Sequence, residues 1–555
     1  MKRYVIAAVI LTGVALGFRL FLALKLANDE PNDGRMYSQI AKNVIEQHVY
    51  SIEEQPPYDS SYIRVPGYPL FLAGVYKIFG IDNNRAVRIV QAFIDTGSCW
   101  LIALLAFNWA PESWPRRKRI RAFSFALGLA AVCPFGAIYA ATILTETWAI
   151  FLAVLCALTA MLGFKADRLR SSLIRWFITG LLGALLTMVR PEGGLFVAGL
   201  GCAFLLVELN KLSLGRILAR ESRPALRRLS AWVVALSFGF AITLMPWTIR
   251  NARVFRVFQP IAPANAAMPG QFFPYGYTAW TLTWIVDQKH VESTVWPLGV
   301  TPIKIESFPD YAFDSADERA RVETLLNEYN NPPSSIPPKP PVVQSPAESS
   351  KANEKSADEK SADSAEESAD SADSDEPDDE DAADAPAPGQ PKITSEIDAQ
   401  FGEIAKERVH NHPLRSHFVV PLKRAVSMWF DPHAQYYPFE GTIFPAREMD
   451  RSRHQQFWLP FFMMLTWVYT ALGLAGLLVL FRNKETKYVL LIGLIAIPRI
   501  ALLSLLEYPE PRYVVILFAF VAVCGGIALA SMERRRARGD VAGDQLKSIR
   551  VSAIF

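Results

Sequence analysis

Acids and arginines recur where the apolar runs of this sequence end. Asp29, Glu30 and Asp33 follow the first run, and Arg64 stands in "RVPGYP". Glu146 stands in "ILTETW", Arg190 and Glu192 in "VRPEGG", and Arg250 with Asn251 in "PWTIRN". Glu507, Glu510, Arg512 and Tyr513 share "LLEYPEPRY". Charge in or beside an apolar span is costly, so such residues mark function more often than chance allows. Guanidinium groups at a membrane surface suit a phosphate, which they grip through two parallel hydrogen bonds. A carboxylate beside them can take a proton from a hydroxyl or amine. The plainer reading is that Asp33 is a helix cap, the arginines are headgroup anchors, and "RPEG" and "GYP" are simple turns.

These residues need a frame that gathers them. About 20 apolar residues cross ~30 Å of hydrocarbon as a helix. Ten runs qualify: Tyr4–Leu24, Ala86–Phe107, Phe123–Ala141, Ile143–Phe164, Trp176–Val189, Gly194–Val207, Ala231–Trp247, Phe457–Phe481, Tyr488–Leu506 and Tyr513–Met532. Trp176–Val189 and Gly194–Val207 are short. The basic segments Pro115–Arg121, Lys165–Arg175, Lys211–Arg228, Arg482–Lys487 and Glu533–Arg538 all fall on one side with Lys2 and Arg3. The positive-inside rule makes that side cytoplasmic, with both termini inside and the acid–arginine turns outside, as in a bacterial inner or plasma membrane. The first run contains Arg19 and is long for a signal peptide, so it reads as an uncleaved anchor. All five cysteines lie in apolar runs, which speaks against a disulfide framework. The fold class is thus all-α and polytopic.

The organisation along the chain follows. Residues 1–256 form an N-terminal transmembrane module whose first outer loop spans 25–85. In that loop Ile40, Val44 and Ile45 recur at helical spacing, as on a helix at the membrane surface, and Tyr68–Gly80 reads as a second interfacial helix. Residues 257–329 and 393–456 are outer regions, 457–532 the C-terminal spans, and 533–555 a basic tail. Between the outer regions, residues 330–392 read as a disordered linker. Its stretch from Glu348 to Asp384 holds sixteen acids and three lysines, a net −13 in a chain of formal net charge +3. Such a tract cannot bury enough apolar surface to fold. His410, His412 and His417 match no strong metal-ligand spacing. The aromatics of Gly276–Trp284, Trp296 and Trp429–Phe439 suit sugar stacking or a local core equally.

Taken in order, "DGRMYSQIAKNV", "RVPGYPLFLAGVYKIFG", "AVRIVQAFID", "ILTETWAIFL", "RPEG", "PWTIRN" and "PEPRY" resemble the integral-membrane GT-C glycosyltransferases, chiefly the protein mannosyltransferase and aminoarabinose (lipid A) transferase branch. The resemblance covers about 1–256 and 457–532. It implies transfer of a sugar from a polyprenyl-phosphate donor to an extracytoplasmic protein, lipid or glycan, with inversion. It also implies a first-loop aspartate as general base. The family's Asp-Glu-x-x-Tyr is met by Asp33 and Tyr37, with Gly34 in place of the Glu; Asp29-Glu30 is the rival acid pair. Glu146 matches a second outer acid, and Arg64, Arg250 and Arg512 are the candidates for the donor phosphate. Arg190, Glu192 and Tyr513 complete the expected ring. No cofactor follows with certainty, and a divalent metal is compatible but not required. Membrane lipids are expected partners; nucleic acid is not. A flippase for lipid-linked sugars and a non-catalytic scaffold are the competing classes.

Overall fold

A computed structural model describes residues 2–26, 32–210, 223–263, 267–268, 270–332, 391–439 and 453–532. Asp29, Glu30, most of the acidic linker and the basic tail lie outside the described residues. Helices account for the ordered elements, and no strand occurs among the described residues. The chain is a polytopic all-helical membrane protein. In order the helices are α1 (Lys2–Lys25), α2 (Asn32–Glu46), α3 (Gly67–Phe79), α4 (Asn84–Trp109), α5 (Arg116–Val132), α6 (Pro134–Ala137), α7 (Glu146–Phe164), α8 (Leu169–Val189), α9 (Gly193–Leu209), α10 (Arg223–Phe255), α11 (Tyr275–Thr281), α12 (Gln288–Thr294), α13 (Ala316–Asn330), α14 (Ser395–Asn411), α15 (Val420–Phe430), α16 (Arg453–Arg482), α17 (Thr486–Leu506) and α18 (Val515–Met532).

Eight helices are long and apolar enough to cross a membrane: α1, α4, α7, α8, α10, α16, α17 and α18 with the short turn before it. The run Phe123–Ala141 supplies a ninth only as a bent pair, because α5 and α6 meet at 52°. The break has a local cause. Pro134 pushes Cys133 out of helical geometry, to φ −68° and ψ 113°. The carbonyls freed at the end of α5 find a donor in α1: Arg19 gives hydrogen bonds to Ala130 and Ala131 at 3.0 and 2.9 Å, and its Nε meets Asp95 of α4 at 2.6 Å. The tenth run is α9, with 17 residues. Trp176–Val189 is in fact part of a full-length span, since α8 starts seven residues earlier.

Membrane helices associate where small residues let backbones approach. α8 and α10 cross at Gly180 and Gly239, each pressed on the other helix's backbone, where a Cβ would collide. α18 is the most deeply buried span and packs on α4, α5, α7 and α16. At one end of the bundle three loops converge: Glu112 lies 3.6 Å from Lys165 and 3.4 Å from Lys487, and its backbone N–H donates to Glu485.

At the other end sit α2 and α3. Ile40 and Ala41 are buried, and the apolar side of α2 packs on Tyr68 and Tyr76 of α3 and toward Trp247. α3 leaves Leu70, Ile78 and Phe79 exposed. α11 to α14 build a region with its own core around Tyr277, Trp280, Trp284, Phe308 and Phe401. The "GYTAWTLTW" aromatics therefore form a local core, not a sugar platform. His412 Nε2 lies 3.7 Å from Asp314, which is itself ion-paired with Arg408 and Arg415. Arg424 of α15 docks this region on the bundle, donating to the carbonyls of Leu282, Ile285 and Ser504.

Candidate active site

The first turn of α2 carries Asp33 to the end of the bundle. Its Oδ1 accepts from Arg64 Nη2 at 3.0 Å and its Oδ2 from Arg512 Nη1 at 3.0 Å. Three segments far apart in the chain thus meet on one carboxylate, whose oxygens serve arginines and not a helix cap. Arg64 is held there by its own loop. Gly67 lies so close to the end of α8 that a Cβ would sit 2.7 Å from the Met188 carbonyl oxygen. Tyr50 donates to the carbonyl oxygens of Arg64 and Val65 at 3.1 and 3.2 Å.

A chain of alternating charge continues from this point. Arg512 Nε lies 2.5 Å from Glu510, which also accepts from Tyr513 at 3.0 Å. Arg190 Nη1 meets Glu146 at 2.6 Å and its Nε meets Glu192 at 2.7 Å. Arg499 Nη2 reaches Glu192 at 3.2 Å and the Tyr513 carbonyl at 3.0 Å. The Tyr513 ring joins the two halves, with the guanidinium carbons of Arg190 and Arg512 each 5.4 Å from its centroid. Four arginines thus face four carboxylates.

The electrostatics follow from this pairing. Burial raises the Asp33 pKa, but Arg512 and Arg64 outweigh it and hold the carboxyl below its usual range. Burial likewise works against Glu192, yet Arg190 and Arg499 pull it down to about 2. Tyr37, packed edge-on against Tyr68 at 5.3 Å, is pushed up to about 12 by burial and by Asp33. Glu507 is the exception: burial, Glu192 and Glu510 push it up to about 7. Glu146 Oε2, Arg64 Nε and Arg499 Nε are buried without hydrogen-bond partners among the described residues. Unmet polar atoms of this kind are costly unless a ligand uses them.

Asp33, Tyr37, Arg64, Glu146, Arg190, Glu192, Arg512 and Tyr513 come together here. Arg250 does not join them. Its donors go to the carbonyls of Ser61, at 2.7 Å, and Tyr50, and its guanidinium lies against Tyr50, Trp247 and Phe255. It braces the loop that carries Arg64 and stands apart from the Asp33 cluster, where it was expected beside the phosphate. Arg499 and Tyr139 were not singled out from sequence. The signal for Arg499 was its charge inside an apolar run. Of the Trp429–Phe439 aromatics, Tyr436 stands at the site: its ring meets Tyr139 at 5.9 Å, and it feels Arg512, Glu146, Glu510 and Asp33.

A small apolar pocket of about 110 Å³ lies between α16, α17 and α18, lined by Trp429, Leu474, Leu477, Ile492, Ala496 and Phe520 among others. Its upper end lies one helical turn from Arg499 and Tyr513.

No protein-family model and no curated protein matches the sequence. Solved structures of similar fold include the archaeal oligosaccharyltransferase AglB from Archaeoglobus fulgidus, in complex with an inhibitory peptide and a dolichol-phosphate. It is 14% identical, with a TM-score of 0.42 over 99% of this chain and 51% of that one. Another is ArnT from Cupriavidus metallidurans bound to undecaprenyl phosphate, 13% identical, with a TM-score of 0.35 over 94% and 77% of the two chains. The chain spans about half the length of the oligosaccharyltransferase.

Proposed function

We propose that this chain is a glycosyltransferase that moves a sugar from a polyprenyl-phosphate donor to an acceptor outside the cytoplasm. The observation that carries the reading is the meeting of Asp33 with Arg64 and Arg512, beside Glu146 and Arg190. The motifs resembling the GT-C enzymes supply these residues. The described basic loops at Lys165 and Lys487 lie together at the opposite end, which by the positive-inside rule supports an extracytoplasmic site.

In the reaction, an acceptor hydroxyl or amine attacks the anomeric carbon. The bond from that carbon to the phosphate oxygen breaks with inversion, and polyprenyl phosphate leaves with the bonding pair. The acceptor's proton passes to a carboxylate, for which Asp33 is the candidate. Arg64 and Arg512 neutralise the phosphate, and Glu146, through its unpartnered Oε2, orients the acceptor. Positioning and charge neutralisation supply most of the acceleration, since the phosphate is a good leaving group.

The test compares extracytoplasmic glycans and glycolipids by mass spectrometry in cells with the wild-type protein, with Asp33→Asn, and without it. Loss of one sugar modification in both mutant strains is expected. A full complement of sugar in the Asp33→Asn strain refutes the assignment. Accumulation of an intact lipid-linked sugar on the cytoplasmic side points instead to a flippase.

A further inference from the structure

α15 is short, and one side of it has no protein against it. Leu422 and Val426 are each at least half exposed, and so are Phe418, in the wide turn Arg415–Val419 that leads into the helix, and Leu414 just before that turn. Successive members of this row stand four residues apart, so they form one apolar stripe. The other side is buried: Val420, Arg424 and Met428 face the bundle. The basic residues Arg415, His417, Lys423 and Arg424 all come early in the segment, and Ala425–Phe430 carries no charge.

The depth of α15 decides what meets the stripe. α17 ends on the active-site side, and Arg424 Nη1 donates to the carbonyl of Ser504 near that end, at 3.0 Å. The C-terminal end of α15 reaches further in. α16 finishes beside the Glu112–Lys487 group, so its apolar run begins, at Phe457, on the active-site side. Trp429 Nε1 donates to Thr470 Oγ1 at 2.9 Å, and Thr470 stands about 20 Å of helix rise beyond Phe457. Phe430 stacks on Trp467, with ring centroids 4.4 Å apart, and Trp467 is itself half exposed on that span. The Trp429 carbonyl, orphaned at the helix end, accepts from His433 Nε2 at 3.1 Å, as an end held away from water requires.

We infer that α15 is a re-entrant amphipathic helix that dips from the active-site surface into the adjoining leaflet, with Phe418, Leu422 and Val426 against lipid acyl chains. A helix satisfies its own backbone in hydrocarbon, so these 11 residues can enter without crossing. Through Phe430 and Trp467 the stripe is continuous with the lipid-facing side of α16, which favours acyl chains over a second protein as its cover. Exposed Lys423, at the flank, extends to the headgroups. α15 also packs on Pro511–Val514, the turn that carries Arg512 and Tyr513. Lipid on one side of the helix thus meets the scaffold of the site on the other.

The experiment uses the full chain in phosphatidylcholine nanodiscs, with or without bromine on the acyl chains. Cys202→Ser removes the exposed cysteine and leaves four buried ones. Phe418→Cys, Leu422→Cys and Val426→Cys are then labelled singly with a small fluorophore. Val9→Cys, exposed on α1, is the lipid reference, and Glu323→Cys, on the polar side of α13, is the water reference. The three α15 labels should lose at least half of their emission to brominated lipid, as Val9→Cys does, and be quenched by aqueous iodide at least fivefold less than Glu323→Cys. The positions are read separately, so one variant that fails to assemble leaves two. Iodide access equal to that at Glu323→Cys overturns the placement, with or without bromine quenching. Silence to both quenchers means that a second copy or another protein covers the face, and overturns it as well.

Discussion

Asp33 occupies the two arginines proposed for the donor phosphate, and this yields a prediction of unusual sign. In Asp33→Asn the amide keeps the shape of the carboxylate but removes its charge. Both Asp33 oxygens lie 3.0 Å from guanidinium nitrogens. A phosphate taking over those nitrogens would lie about 5 Å from the Asp33 carboxylate. At an effective dielectric of about 40, for side chains roughly a quarter exposed, the repulsion is about 1.7 kcal/mol. Screening by salt lowers it to about 1 kcal/mol. The variant should therefore bind a short-chain polyprenyl phosphate about five- to twentyfold more tightly than the wild type. Sugar transfer should fall by roughly 10²–10⁴, the usual contribution of a general base. Isothermal titration calorimetry in detergent micelles gives the affinity, and thermal unfolding checks that the variant is folded. Unchanged or weaker binding by a folded Asp33→Asn protein would refute the idea that Arg64 and Arg512 exchange a carboxylate for the phosphate.

Three further outcomes follow. Glu507, at about 7, holds its proton below that pH and loses it above, adding negative charge beside Arg190 and Arg512. Affinity for a phosphodiester-linked donor, which does not itself titrate there, should fall between pH 6 and 8, and Glu507→Gln should flatten that dependence. The same shift makes Glu507 favour folding least at high pH: the unfolded chain loses this proton near 4.5 and the native one near 7, so its contribution declines across that interval. Within the bundle, Asp95→Ala leaves Arg19 buried and unpaired and should cost about 3–5 kcal/mol. Pairing it with Arg19→Leu should recover most of the loss, measured by denaturant or thermal unfolding, though Ala130 and Ala131 then lack their donor.

The residues legible in the sequence were those for which position alone carried the signal. Asp33, Arg64, Glu146, Arg190, Glu192 and Arg512 stand at the ends of apolar runs, where charge needs a reason. Helix geometry then did the rest, because ends of neighbouring spans share a level. Arg499 sits inside a run, and hydropathy averages a single guanidinium away. Arg250 shows the opposite limit. Its placement resembles that of Arg512, but which way a guanidinium turns depends on the carbonyls of Ser61 and Tyr50, and those are fixed by tertiary packing. The break in Phe123–Ala141 was readable in principle from Pro134. What hid it was that the residues on both sides are equally apolar.

The burial of α18 has a consequence for biogenesis. Arg512, at the head of that helix, is the last of the clustered arginines to leave the ribosome, some 480 residues after Asp33. Until it arrives, Asp33 can bond only Arg64 of these two arginines, and α4, α5, α7 and α16 lack the helix they pack on. The acid–arginine cluster is thus completed only once residue 512 has been made, and a chain stalled before it lacks one of the two guanidinium groups on Asp33.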